Sequence, residues 1–413
     1  MKTPTPFSLL IKPASADCNL KCTYCFYLEK CSLYPGTRKH RMSDSVLEKL
    51  IQSYMATPQP AYSFAWQGGE PTLMGWEFFR KVTDLQQTFG KTGAVVTNGI
   101  QTNATLIDDT LAAHLAQYRF LAGVSLDGPA DIHNRFRQTA GGGPSHAAVL
   151  KGIDTLVRHK VAFNILVLVS QANVRRAREV YRYLVDSGFY FHQYIPCVEF
   201  DDRGKLLPFA ISGPEWGDFL CEIFDLWHPR DIQRVSIRHF DSLLNKMVDS
   251  SVTVCTLGEN CCQYFVVEYN GDIYPCDFFV GKNYKLGNIT KTSWRRMISS
   301  SQYQSFGSRK SDWNQFCETC EFLTLCSGDC LKHRMYGSHP ARNMSRLCSG
   351  WKQFFEHSAH KFNELAQTIR VERLKNLNHN RTQINHAGSK AGPVGRNQKC
   401  PCGSGKKFKK CCG

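Results

Sequence analysis

Over its first half the chain alternates short apolar runs with amphipathic stretches. The runs "FSLLIK" (7–12), "SFAWQ" (63–67), "AVVTN" (94–98), "FLAGVSL" (120–126), "FNILVLVS" (163–170) and "FHQYIP" (191–196) have the length and composition of buried strands. Between them, "SDSVLEKLIQSYM" and "VRRAREVYRYLVDSG" repeat apolar residues at i, i+3, i+4 and i+7, the helical period, and the second ends at Gly188. Strand–helix alternation predicts parallel βα units, and six of them predict an α/β fold: a partial (β/α)6 TIM-like barrel over residues 1–230. From about residue 231 the alternation gives way to cysteine-rich, hairpin-like segments, a second domain over 231–365 in which Asn270-Gly271 predicts a two-residue hairpin turn. A helical stretch (350–377) follows. The polar "NHNRTQINHAGSKAGPVGRNQ" then reads as linker, so that 366–395 is a helix end and a flexible basic tether to a compact "CPCGSGKKFKKCC" at 396–413. No internal repeat of fixed period is present.

Composition changes this picture in three ways. At 413 residues, 42% hydrophobic and 21% charged, the chain is long enough for several cores, and no run of eighteen apolar residues predicts a membrane span. The start, "MKTPTPFSLLIKPASADC", has too short an apolar stretch for a signal peptide, which predicts a cytoplasmic protein. The net charge of +16 is uneven: residues 366–413 hold eleven Lys/Arg and one acid, leaving about +6 for the rest. And there are 19 cysteines, an odd number, in a chain that needs no staples; in a reducing compartment such clusters bind metal or do chemistry.

In barrels of this kind, chemistry gathers on loops after the C-terminal ends of strands. Here those loops are "ASADCNLKCTYC", "GGEP", "GIQTN" and "DGPADIHNRFR". The first carries Cys18-x3-Cys22-x2-Cys25 directly after a strand. Three thiolates can hold three corners of a 4Fe–4S cluster that ordinarily takes four Cys, leaving one iron open. Cys31 is a possible fourth, without a matching loop signal; a zinc site or buried thiols are the plainer alternatives.

With its C-x3-C-x2-C loop and an aromatic residue, Tyr24, before the third Cys, the chain resembles the radical S-adenosylmethionine (AdoMet) superfamily. The resemblance implies AdoMet contacts at the "GGEP" backbone (Gly68, Gly69, Glu70, Pro71), at Ser125 near Asp127 in "GVSLDGP", at Arg137 with Arg135 as a rival, and at Val198 against the adenine. It assigns Tyr24 and Gln67 to cofactor or peptide contacts. Cys255, Cys261, Cys276, Cys317, Cys320, Cys326, Cys330 and Cys348 resemble the SPASM extension of peptide-modifying radical AdoMet enzymes. By that resemblance one auxiliary 4Fe–4S cluster takes Cys255, Cys261, Cys276 and Cys330, and the other Cys317, Cys320, Cys326 and Cys348, for three clusters in all. Cys262 competes with Cys261, and four thiolates suit zinc as well.

Over residues 7–365 the chain is similar to the anaerobic sulfatase-maturating enzymes, through "LLIKPASADCNLKCTYCFYLEK", "WQGGEPTL", "QTNATLID", "VSLDGP", "VSIRHFDSLL", "VVEYNGDIYPCDFFV" and "LGNI". That similarity implies a 5′-deoxyadenosyl radical taking hydrogen from the β-carbon of a sulfatase Cys or Ser. Asp277 then serves as proton acceptor, and the product is Cα-formylglycine. The implied partners are an unfolded or nascent sulfatase carrying a C/S-x-P-x-R segment and a low-potential donor such as flavodoxin or ferredoxin. A SPASM enzyme forming thioether or carbon–carbon crosslinks, and a non-catalytic zinc-rich binding protein, are the rival readings. The end, Cys400-x-Cys402-x8-Cys411-Cys412, suits a structural zinc and resembles the SEC-C module, a basic knob able to dock a protein or RNA. Cluster thiolates carry about −5 in all, so the body is nearly neutral and reads as no nucleic-acid binder.

Overall fold

The structure, a computed structural model, describes residues 6–201, 203–335, 341–388, 395–400 and 404–412, with the backbone alone over 376–388. Among the described residues, ten strands form one open sheet: β1 (Ser8–Lys12), β2 (Tyr62–Trp66), β3 (Val96–Thr102), β4 (Leu121–Ser125), β5 (Ala162–Val169), β6 (Phe191–Pro196), β7 (Ser236–Ile237), β8 (Tyr264–Glu268), β9 (Asp272–Tyr274) and β10 (Gly287–Asn288). Their order is β10-β9-β8-β1-β2-β3-β4-β5-β6-β7, parallel from β8 to β7 and antiparallel at the β9 and β10 edge. Helices α1 (Asp44–Met55), α2 (Trp76–Phe89), α3 (Asp109–Gln117), α4 (Ala130–Phe136), α5 (His146–Arg158) and α6 (Ala177–Asp186) fill the crossovers. Ser43 and Asp108 cap α1 and α3 through their side chains. The apolar faces of the helices close on the strands around Trp66, Phe79, Ile165 and Val167, all buried.

The sheet thus contains the six expected strands, with three differences. The third runs to Thr102, so most of "GIQTN" is strand rather than loop: Asn98, Ile100 and Thr102 alternate inward past Gly99. A two-residue seventh strand extends the barrel beyond β6. Strand β8 belongs to the barrel's own sheet, paired with β1 from Ser8↔Tyr264 to Lys12↔Glu268. The β8–β9 turn spans three residues, 269–271: Gly271 N donates to Glu268 O at 2.8 Å, and Gly271 takes φ +84°, the left-handed step of a three-residue hairpin loop.

Past the barrel come α7 (Gly213–Trp227), with a capping box at Ser212 and Glu215, and α8 (Arg238–Asp249), then α9 (Trp294–Ile298), α10 (Ser301–Ser308), α11 (Gln315–Glu318) and α12 (Leu323–Cys326). The last helix, α13 (Cys348–Gly388), covers part of the stretch expected to be linker. No Gly or Pro interrupts residues 351–387, so nothing stops the helix before Gly388. It packs on α7 at glycine contacts: a Cβ at Gly350 would sit 1.9 Å from Gly213 O, so the backbones meet without side chains between them.

Candidate functional site

The loop after β1 is stitched to both neighbours. Asp17 accepts hydrogen bonds from His40 N (2.8 Å) and Arg41 Nη1 (2.6 Å) and pairs with His40 Nδ1 (2.8 Å). Its carbonyl accepts from Glu70 N at 2.8 Å, while Lys21 N and Thr23 N donate to Gln138 O (2.7 Å) and Phe136 O (3.0 Å). The cysteine loop, the "GGEP" turn and the Arg137 segment are therefore one assembly. Gly69, at φ +49°, passes so close that a Cβ would lie 2.0 Å from Asp17 O; only glycine fits. Glu70, buried, pins the turn to the end of β3: Oε1 accepts from Thr72 N, Thr72 Oγ1 and Thr102 Oγ1, and Oε2 from Asn103 N at 2.7 Å.

Cys18, Cys22 and Cys25 are half-buried on this loop. Burial, with smaller contributions from Glu70 and the other two thiols, pushes the Cys18 thiol up to about 12; Cys22 is also raised by burial, with Arg137 opposing. Thiolates here need a cation to stabilise them, and bound metal provides one. Among the described residues, Cys400, Cys411 and Cys412 form the one group of three or more His, Cys, Asp or Glu whose ligand atoms all lie within 4.8 Å of one another. Tetrahedral zinc needs sulfurs about 3.8 Å apart at a Zn–S length of ~2.3 Å. The C-terminal trio suits one such ion. Cys402 lies outside the described residues.

Beside the loop, Asp127 organises the next layer. Arg137 Nε and Nη2 donate to its two oxygens at 2.9 and 3.2 Å, Leu168 N donates at 3.0 Å, and the buried Tyr24 hydroxyl also donates to it. The Arg137 guanidinium lies over the Tyr24 ring, 5.4 Å from its centroid. Arg135, its rival in the sequence, is exposed, donates to Gln171 O and lies over the Phe136 ring. Ser125 ends β4 and is buried, and Val198, just past β6, lies in the main core.

Asp277 follows β9 and is 9% exposed. Gln67 Nε2, from the end of β2, donates to it at 3.1 Å; Lys12 Nζ, ending β1, is 3.7 Å away; Tyr264 OH donates to Oδ1 at 3.4 Å and to Cys276 Sγ at 3.2 Å. Lys12 is itself buried, lies 4.2 Å from the centroid of the Tyr27 ring, and stands opposite Glu268, which accepts from Tyr27 OH. Sequence reasoning had passed over Lys12, Tyr27, Tyr264 and Glu268. Their signal was a charged residue closing each of two apolar strands, "SLLIK" and "YFVVE", at the end where barrel chemistry gathers.

Nine cysteines lie in residues 255–348, and eight of them, all but Cys262, are those the resemblance gives to the auxiliary clusters. Burial first, and then neighbouring thiols, raise these groups: Cys330 acts on Cys276, Cys255 on Cys330, and Cys255 and Cys262 on Cys261. Cys317 and Cys320 act in the same way on Cys348, and Cys348 on Cys326. Burial raises Cys276 and Cys330 well above the usual thiol value. Cys262 turns toward α10, its Sγ donating to Tyr303 O at 3.3 Å.

Comparison with known proteins matches this geometry. The Radical SAM superfamily model matches residues 13–184, the SPASM iron-sulfur cluster-binding domain 255–321 and the SEC-C motif 396–413. The Serine-type anaerobic sulfatase-maturating enzyme of Bacteroides thetaiotaomicron is 36% identical over 372 residues, 86% of this chain and 90% of that protein. The Cysteine-type enzyme of Clostridium perfringens is 35% identical over 369 residues, 88% and 100% respectively. The solved structure of native anSMEcpe with bound AdoMet and Cp18Cys peptide superposes with a TM-score of 0.82 at 35% identity, over 88% of this chain and 99% of that one. Streptococcus suis SuiB bound to S-adenosylmethionine, at 17% identity and a TM-score of 0.59 over 83% of this chain and 77% of that one, shares the fold.

Proposed function

The chain belongs to the anaerobic sulfatase-maturating enzymes, radical SAM proteins with a SPASM extension, and from that premise we propose that it oxidises a Cys or Ser in a C/S-x-P-x-R segment of a sulfatase to Cα-formylglycine without oxygen. The observation that carries this reading is the Asp277 pocket, where a buried carboxylate is held by Gln67 and faced by Lys12 on strands adjoining the cysteine loop. At that loop AdoMet and a 4Fe–4S cluster supply a carbon radical able to take a hydrogen atom from an unactivated C–H bond. Cys18, Cys22 and Cys25 would hold the cluster. The bare Gly69 backbone and the Arg137 guanidinium suit the amino and carboxylate groups of methionine, with Tyr24, Ser125 and Val198 as further contacts.

Asp277 accepts the proton of the target thiol or hydroxyl, with Lys12 Nζ 3.7 Å from its carboxylate. The balance is two electrons: one leaves with the hydrogen atom and one alone, while the proton goes to Asp277. From Cys this yields a thioaldehyde, which water converts to the aldehyde with release of hydrogen sulfide; from Ser the aldehyde forms directly.

The two thiol sets support two auxiliary 4Fe–4S clusters, three clusters in all, held by Cys255, Cys261, Cys276, Cys330 and by Cys317, Cys320, Cys326, Cys348. The turn of Cys262 toward Tyr303 favours Cys261 as ligand. The C-terminal trio supports a structural zinc completed by Cys402, on a basic module that docks a protein or RNA. A low-potential flavodoxin or ferredoxin is the expected donor, and a reducing cytoplasm the expected location. Among the described residues, no helix is long and apolar enough to cross a membrane. The test is anaerobic incubation of the iron-loaded protein with AdoMet, a reductant and paired Cys and Ser signature peptides. Peptide masses shifted to the aldehyde support the reading. Unchanged peptides beside intact AdoMet overturn it.

A further inference from the structure

Three buried or half-buried cations stand among the cysteines of the second domain. Lys310 is 1% exposed, and its Nζ donates to Thr256 O (3.0 Å), Ser327 O (3.0 Å) and Asp329 O. Three acceptors require three N–H donors, which only the protonated ammonium carries. Arg334 is 0% exposed. Its guanidinium donates to five backbone carbonyls: Gly328 (3.0 Å), Arg309 and Asp312 (3.3 Å each), Lys310 (2.6 Å) and Ser327 (3.4 Å). Half-buried Lys246 donates to Leu257 O (2.8 Å), Leu325 O (3.3 Å) and Ser327 Oγ (2.7 Å). All these acceptors are neutral. The buried carboxylate nearby, Asp329, is engaged by His333 Nδ1 (2.8 Å) and Ser345 Oγ (2.7 Å).

A buried cation is expensive without an opposite charge; Glu259 acts on Lys246, and Asp329 alone does not balance the fully buried Lys310 and Arg334. The carbonyls that hold Lys310 belong to residues beside proposed ligands of both sets: Thr256 follows Cys255, Ser327 follows Cys326 and Asp329 precedes Cys330. Thiols alone offer no countercharge, but four thiolates on a 4Fe–4S group carry about −2 per set.

We propose that Lys310, backed by Arg334, is the shared countercharge of the two auxiliary clusters: lying between the two thiol sets, it favours their assembly and raises both reduction potentials. This rests on the two ligand sets proposed above. A cation fixed in a low-dielectric interior stabilises the more negative, reduced state of each neighbouring cluster. It would therefore ease uptake of the second electron from the substrate. Lys310 is here a positioning charge that touches neither substrate nor AdoMet.

The test is an EPR-monitored redox titration, with iron analysis, of the full-length loaded protein and of Lys310→Gln and Lys310→Arg. Glutamine keeps two N–H donors and loses the charge; arginine keeps the charge. Lys310→Gln should disfavour auxiliary-cluster reduction by tenfold or more, about 59 mV per tenfold for a one-electron couple. Lys310→Arg should stay within about threefold of wild type. Loss of auxiliary iron in Lys310→Gln with retention in Lys310→Arg supports the same conclusion. Unshifted potentials in fully loaded Lys310→Gln overturn it, and so does loss of iron from both variants, which would mean the carbonyl cage needs the lysine's shape and not its charge. A wild-type content of about four irons per chain, in place of about twelve, overturns the ligand sets themselves and this inference with them.

Discussion

Glu70→Gln is a sharp perturbation of the AdoMet loop because it changes almost no volume. Three donors converge on Oε1 and one, Asn103 N, on Oε2. Glutamine offers a single oxygen. Placed at the Oε1 position it keeps three bonds but sets its NH2 against the Asn103 N–H, donor facing donor. The lost bond to a charged acceptor is worth about 1.5–3 kcal/mol, and the stranded buried N–H costs about 1–3 kcal/mol more. Against this, a neutral amide is easier to bury, and burial is the leading influence raising the pKa of Glu70. The net expectation is ~2 kcal/mol lost in stability, from principles of hydrogen-bond exchange. Because Glu70 N is bonded to Asp17 O, the slack reaches the cysteine loop as well. AdoMet affinity should fall roughly tenfold, a 1.4 kcal/mol share of that loss. Urea unfolding gives the first number and anaerobic calorimetric titration with AdoMet the second. A variant within about 0.5 kcal/mol of wild type, binding AdoMet unchanged, would refute the idea that this carboxylate holds the turn.

Asp277→Asn should lower peptide oxidation about 10²–10⁴-fold with AdoMet affinity intact, as for loss of a general base; equal losses in both would point to a structural role. Gly69→Ala drives a Cβ to 2.0 Å from Asp17 O, so AdoMet binding should disappear while iron content is kept, as read by calorimetry and iron analysis. His133, His192 and His239 are held neutral by burial, near 3, 4 and 4 against an ordinary 6.5. The unfolded chain therefore binds more protons below 6.5, and these three groups should lower stability by about 4 kcal/mol from pH 7.5 to 5.5, whereas a flat urea-midpoint profile would sink this assignment. Removing residues 380–413 should leave turnover of signature peptides within about twofold, and abolished turnover would show the SEC-C module to be part of the catalytic unit.

Five barrel strands were legible because parallel, doubly covered strands are near-continuous apolar runs. The third was cut short because Gly99 looks like punctuation, although Asn98, Ile100 and Thr102 keep the inward alternation across it. The Asn270-Gly271 signal marked a real turn but not its length, since only Gly271 takes the left-handed step. The cysteine loop, Tyr24 and Arg137 could be found from local spacing and resemblance. The Lys12–Glu268 pairing could not, because it depends on two strands distant in sequence becoming neighbours. Nor does spacing alone sort the eight later cysteines, whose two proposed sets interleave along the chain.

The place of β8 beside β1 also bears on how the molecule is made. The first strand leaves the ribosome some 250 residues before its partner, so one side of it must wait, its amides and carbonyls unanswered, until nearly two-thirds of the protein has been synthesised. An early strand with an open flank is a template for wrong pairing, and closing so long a loop slows the correct one. Nascent chains truncated before Tyr264 should thus be unusually dependent on holding chaperones, and should lose that dependence soon after Glu268 emerges.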